Sequence, residues 1–190
     1  MPEAGTLHDA FIDELRDCYD AEKQLTRALP KMARAASSQE LRSAFQHHLA
    51  ETRGHVTRLE QVFQSLHEKV QGKHCDGIAG IVDESTAVME EDFDQTTLDA
   101  CLIASGQRAE HYEMAAYGTL VAWARAMGHD TAAELLEQTL TEEKAADKKL
   151  TDLAESGINQ EAADSARQDD HEEEQQRTSK AARKGGRRHV

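Results

Sequence analysis

Sliding the chain along itself by 91 positions lays its first half on its second without a gap. Phe11 falls on Leu102, Leu29 on Leu120, Met32 on Trp123, Phe45 on Leu136, Leu49 on Leu140, Leu59 on Leu150 and Val62 on Leu153. A constant offset over that span is the mark of a duplicated structural unit. The same offset carries Glu22 onto Glu113 and Glu51 onto Glu142. Each half therefore offers one carboxylate from its first helix and one from its second, related by a pseudo-two-fold axis.

The repeated unit reads as a helical hairpin. Leu15, Cys18, Glu22, Leu25, Leu29 and Met32 recur at alternating intervals of three and four, the stripe of a helix over residues 7–35 whose only inward charge is Glu22. Pro30 lies inside that span and is expected to kink it. Ser38 is placed to cap a second helix over 39–69, whose core side carries Leu41, Phe45, Leu49, Val56, Leu59 and Phe63 beside a polar row of His48, Glu51 and His55. Glycines mark a loop over 71–77, and a short helix over 78–91 carries the chain across. A third long helix, over 97–127, is apolar on nearly every face yet holds Glu110-His111-Tyr112-Glu113. Gly128-His129-Asp130 separates it from a fourth, over 131–155. Two long helices, a crossover and two more make an all-α, ferritin-like four-helix bundle, two duplicated hairpins with the long crossover between helices 2 and 3. The expected domain covers residues 1–158, followed by a polar tail over 159–190 that is expected to be disordered.

Charged residues are abundant and aromatics scarce, as in all-helical proteins. No apolar run approaches the ~20 residues of a membrane span, and no secretion signal opens the chain, so no membrane partner is expected. Cys18, Cys75 and Cys101 are odd in number and lack a C-x-x-C spacing, which points to a reduced, cytoplasmic setting. The formal charge is −14, and because residues 171–190 hold six Lys/Arg against three Glu, the first 170 carry −17. Such a body attracts cations and repels nucleic acid, leaving the basic run from Lys180 to Arg188 as the one stretch suited to DNA or anionic lipid.

Carboxylates converging inside a bundle cost too much to bury alone; they need protons, counter-cations or metal. Four of them from four helices meet the need of a dinuclear iron or manganese site, where hard anionic donors offset two neighbouring cations. The usual Glu-x-x-His pair is absent after Glu51 and Glu142, where Gly54 and Ala145 stand instead. His55 is the best nitrogen donor, with His48 behind it, and Glu110, Glu143 and Asp147 are additional carboxylates. The expected metal set is Glu22, Glu51, His55, Glu110, Glu113, Glu142 and Glu143, with Glu51, Glu142 or both bridging and Glu22 and Glu113 terminal. The opposing reading is a salt-bridged core using Lys23, Arg27, Arg53 or Lys144, cations that sit beside the inward stripes rather than on them. Tyr112, Tyr117 and Trp123 read as packing, and His111 as a surface or supporting residue.

Ala21-Glu22-Lys23-Gln24-Leu25, His48-Leu49-Ala50-Glu51-Thr52, Glu110-His111-Tyr112-Glu113 with Ala116-Tyr117-Gly118-Thr119-Leu120, and Thr139-Leu140-Thr141-Glu142-Glu143 occur in this order. Through them the chain resembles the YciE/YciF family of ferritin-like proteins over residues 7–163. The resemblance implies a cytoplasmic, stress-associated bacterial protein, a homodimer with a metal site in its bundle and ferroxidase activity. The expected chemistry is oxidation of Fe(II) to Fe(III) by O2 or peroxide at two divalent metal ions, with iron preferred to manganese. Two rivals stay open: a manganese catalase-like enzyme disproportionating hydrogen peroxide with the same ligands, and a non-enzymatic metal-binding or scaffold stress protein.

Overall fold

The computed structural model describes residues 5–165 and 167, and every structural statement below concerns those residues. They form α1 (Leu7–Ala35), α2 (Gln39–Ser65), α3 (Asp76–Glu90), α4 (Gln95–Ala126) and α5 (Asp130–Leu153), followed by a π-helical turn over Ala154–Ile158. The four long helices and the crossover are those expected from the periodicity. Starts are written into the sequence. Thr6 and Asp9 close a capping box on α1, Ser38 caps α2, and Asp94 accepts from the backbone of Thr96 and Thr97 at the head of α4. Ends are set by backbone conformation. Gly128, at φ 75°, turns the chain out of α4 in the left-handed region that glycine enters freely.

Two limits differ most from expectation. Helix α2 stops at Ser65 rather than 69, because His67 takes a left-handed φ of 57° and the amides of His67 and Glu68 turn back to Gln64 and Phe63. Helix α1 continues past Pro30 to Ala35. Past a kink at Gly157, whose torsions are not helical, helical conformation resumes over 159–165, beyond the boundary drawn at 158, with Ile158 buried. The rest of the expected tail, and with it the basic run from Lys180, lies outside the described residues apart from position 167.

Helix α1 packs on α2 and α4, and α5 on α4 and α2, while α3 lies across α1 and α4. The interior holds two separate apolar cores. One gathers Phe11, Leu15, Leu59, Val62, Phe63, Leu120 and Leu136; the other gathers Leu25, Leu29, Leu41, Phe45, Leu102 and Leu150. Going along the chain, α1 and α5 pass from the first core to the second, and α2 and α4 pass from the second to the first. Helix α2 thus ends at the opposite end of the bundle from where α4 begins, and α3 carries the chain back. The 91-residue offset exchanges the cores: Phe11, Leu59 and Val62 of one map onto Leu102, Leu150 and Leu153 of the other. Each fully buried Leu or Phe contributes roughly 1.5–3 kcal/mol, so the two cores supply most of the driving force.

Asp99, in the second turn of α4, is buried and ties the α1–α2 link to the other hairpin. It accepts from the backbone amides of Ser37 (2.8 Å) and Ser38 (2.7 Å) and from the Ser37 hydroxyl (2.7 Å). Replacing Asp99 by Ala strands two amides at the head of α2 and is expected to cost about 3 kcal/mol. For a chain of this length that lowers the melting temperature by about 10 °C in a circular-dichroism melt, and a fall of under a degree would show the link to be held by other contacts.

Candidate metal centre

Between the two cores lies a polar layer one to two turns thick, and all four long helices feed it. Helix α1 contributes Glu22; α2 contributes His48, Thr52 and His55; α4 contributes Glu110 and Glu113; and α5 contributes Thr139 and Glu143. Every one of these residues is buried. Their ligand atoms form two groups, within 4.8 Å of one another in each: His48 with Glu110, Glu113 and Glu143, and Glu22 with His55 and Glu143. Glu143 belongs to both. His48 Nε2 stands 3.1 Å from Glu110 Oε1, and His55 Nδ1 stands 2.9 Å from Glu143 Oε1 and 3.3 Å from Glu22 Oε1.

Around this layer a set of neighbours fixes the ligand side chains. The Tyr117 hydroxyl donates to Glu22 Oε1 at 2.5 Å. His55 Nε2 meets Glu142 Oε2 at 2.8 Å, and Arg58 grips both oxygens of Glu142 while also donating to Thr139. A carboxylate only accepts, so Nε2–H donates to Glu142; Nδ1, turned toward Glu22 and Glu143, carries a proton while the ring is charged and would offer its lone pair to a metal ion once that proton is displaced. Glu51 lies 3.6 Å from His48 Nδ1, beyond hydrogen-bond reach, while Nε2 faces inward.

The structure therefore brings Glu22, His55, Glu110, Glu113 and Glu143 of the expected set together, and adds His48. It does not place Glu51 or Glu142 in the centre: their side chains are 26% and 35% exposed, whereas that of Glu143 is 0%. The bridging role expected of Glu51 and Glu142 does not fit these positions. The offset of 91 is right, but the inward residue is one position later on each helix, Thr52 and Glu143. A step of one residue rotates a side chain by about 100°, enough to carry it from core to rim. The signal was present: Glu143 lies seven residues from both Leu136 and Leu150, on their stripe. In the corrected register α2 carries Thr52-x-x-His55 and α5 carries Glu143-x-x-Ala146, two incomplete and complementary forms of Glu-x-x-His. Thr52, Arg58 and Thr139 carry no expectation from sequence, and Tyr117 is expected chiefly to pack rather than to relay electrons. Lys23, Arg27, Arg53 and Lys144 make no ion pair with the layer among the described residues, and Asp147 and His111 pair with each other at the surface, 3.2 Å apart.

The sequence pattern of a family described as a domain of unknown function, DUF892, matches residues 6–163. Protein YciF of Escherichia coli K12 is 47% identical over 162 residues, spanning 85% of this chain and 98% of its own length. The crystal structure of YciF, described as a stress protein, superposes with a TM-score of 0.79 over 82% of this chain and 99% of that one. YcfI of Rhodopseudomonas palustris, a proposed structural protein, is 43% identical and superposes with a TM-score of 0.77 over 79% of this chain and 96% of its own. A Xanthomonas campestris protein at 20% identity shares the fold, with a TM-score of 0.63 over 80% of this chain and 92% of that one.

The layer is electrostatically unfinished. Glu22 Oε2, Glu110 Oε2 and both oxygens of Glu113 and of Glu143 are buried without a hydrogen-bond partner. Each such atom costs about 1–3 kcal/mol unless something satisfies it, and divalent cations that favour oxygen donors would satisfy all of them, so the donor set fits metal. Without metal, protons take that part. Burial pushes the carboxyls of Glu22, Glu110 and Glu113 above their ordinary range, for Glu110 and Glu113 far above. Burial alone would depress the imidazoles, but the surrounding carboxylates outweigh it and hold His48 at about 9 and His55 at about 11. All these groups have folded values above their unfolded ones, so the stability they give is lost as pH rises. For His48 and His55 it is complete below about 6.5 and is lost through about 9 and about 11. The chelated protein is expected to melt several degrees lower at pH 9.5 than at pH 6.5. Metal must displace those protons, so the gain in melting temperature from saturating Mn(II) grows over the same interval. A chelated protein that becomes more stable toward pH 9.5, or a Mn(II) gain that shrinks, would contradict this protonation scheme.

Proposed function

The chain belongs to the DUF892 family, as a ferritin-like protein of the YciE/YciF kind, and we propose that it is a dinuclear non-haem metal protein that oxidises Fe(II) with O2 or peroxide. One observation carries the reading: Glu143, fully buried, belongs to both groups of ligand atoms. A carboxylate in that position is suited to bridge two cations whose repulsion it offsets. In this scheme Glu22 and His55 hold one ion, and His48, Glu110 and Glu113 hold the other. When bound, the iron pair would supply the one-electron redox chemistry.

The chain's own residues do the rest. Tyr117 steadies Glu22 through its hydroxyl, and the Arg58–Glu142–His55 relay fixes the imidazole lone pair. Outer partners of this kind typically change metal affinity or activity by about 10–100-fold when removed. The apolar cores close the layer at its two ends. The negative body draws cations toward the bundle. The homodimer implied by the resemblance, and a stress-related role like that ascribed to YciF, belong to the same proposal. The description of YcfI supports a second reading, a non-enzymatic protein in which bound metal serves the fold.

Metal content after purification without chelator, followed by anaerobic Fe(II) loading and exposure to O2, separates these readings. Two irons per chain with oxygen-dependent appearance of Fe(III) is expected. Glu143→Ala should lose both ions, whereas Glu142→Ala should still fill at saturating metal but bind about 10–100-fold more weakly. Wild-type stoichiometry in Glu143→Ala would refute the assignment. Stable binding without oxidation would favour the structural reading, and peroxide turnover with two manganese ions would favour a catalase-like enzyme.

A further inference from the structure

The offset of 91 that pairs the two hairpins maps His55 onto Ala146. Where one half carries an imidazole three residues after its inward position, the other carries a methyl group. The space is not refilled. A cavity of about 710 Å³ opens between α2 and α5 at this place, with Ala44, Phe45, Ala145 and Leu150 among its walls and His48 and Glu110 lining it beside the polar layer. His48 and Glu110 are both more than nine-tenths buried, and Glu110 Oε2 and His48 Nδ1 have no hydrogen-bond partner. The other group, Glu22 with His55, is faced by Tyr117 and Glu142. The His48 side of the layer adjoins a chamber of the size that takes small molecules.

We propose that this cavity binds a substituted nitrogen heterocycle of the imidazole type, its ring occupying the place that the absent histidine side chain would fill. An imidazole carries one N–H donor and one lone pair. The donor suits the unpartnered acceptor on Glu110, and the lone pair suits a metal ion held by His48, Glu110, Glu113 and Glu143. The lone-pair half of the argument rests on the dinuclear reading; the shape and the acceptor do not. The volume exceeds one ring, and Phe45 and Leu150 offer apolar surface to a substituent on it. Lys149 and Gln39 stand where a polar end of such a substituent would reach water. Glu40 and Glu51 in the lining disfavour an anionic ligand and leave a neutral ring as the better match.

The probes are imidazole and 4-phenylimidazole, titrated by calorimetry into the full chain after its Mn(II) stoichiometry has been measured. Binding of 4-phenylimidazole at least about tenfold tighter than imidazole is expected, since the phenyl group is buried against the apolar wall. Ala146→Phe, or the smaller Ala146→Leu should the first disturb folding, fills the space. It should weaken 4-phenylimidazole at least about tenfold while helical content and Mn(II) uptake stay at wild-type levels. Undiminished 4-phenylimidazole affinity in a folded, metal-loading Ala146 variant overturns the proposal, as does a metal-loaded wild type that binds neither probe. A wild type that takes up no Mn(II) sinks the dinuclear reading instead. The same titration is then made on the metal-free protein, where loss of binding in the Ala146 variant supports the cavity assignment and equal binding overturns it.

Discussion

Burying four carboxylates and two imidazoles in a slab between two apolar cores is the constraint on which this molecule depends. Neither core is large, and the layer divides them where a helical bundle would ordinarily be continuous. The layer persists because its members are held from outside as well as from within. Arg58 and Glu142 fix His55, Glu51 faces His48, and Tyr117 fixes Glu22. Arg58, Glu142 and Glu51 are part-exposed, so water shares the cost of their charge, whereas Tyr117 is buried. The unpaired oxygens are left at the centre, where a cation gains most from them.

Much of the fold could be read from the chain because its evidence is periodic and repeated. Leu15, Cys18, Glu22, Leu25, Leu29 and Met32 are all buried, as a three-four stripe requires. The offset of 91 residues reappears as an exchange of the two cores. Helix boundaries were less legible where a single backbone torsion decided them, as His67 shows at the end of α2. Such a residue carries no compositional warning: glycine or asparagine in the left-handed region announces itself, and histidine does not.

The centre was legible in kind and misread in register. Matching halves by identity favours Glu51 with Glu142, because like aligns with like. The buried pair is Thr52 with Glu143, and the two halves differ at that position. Symmetry therefore pointed at the conserved-looking outer carboxylates, while asymmetry marked the inner ones. Extending the leucine stripe of α5 through Glu143 corrects the error without coordinates. The supporting contacts of Tyr117 and Arg58 were not legible, since each joins residues more than 80 positions apart across the bundle.

Because Glu143 reaches into both groups of ligand atoms, neither hairpin owns a complete centre. The first hairpin brings Glu22, His48 and His55; the second brings Glu110, Glu113 and Glu143. On the proposed scheme a nascent first hairpin would offer an ion two imidazoles and one carboxylate, without the shared Glu143. The full donor set would come together only when the late-synthesised half docks, so the order of assembly would delay complete metallation until the chain is whole.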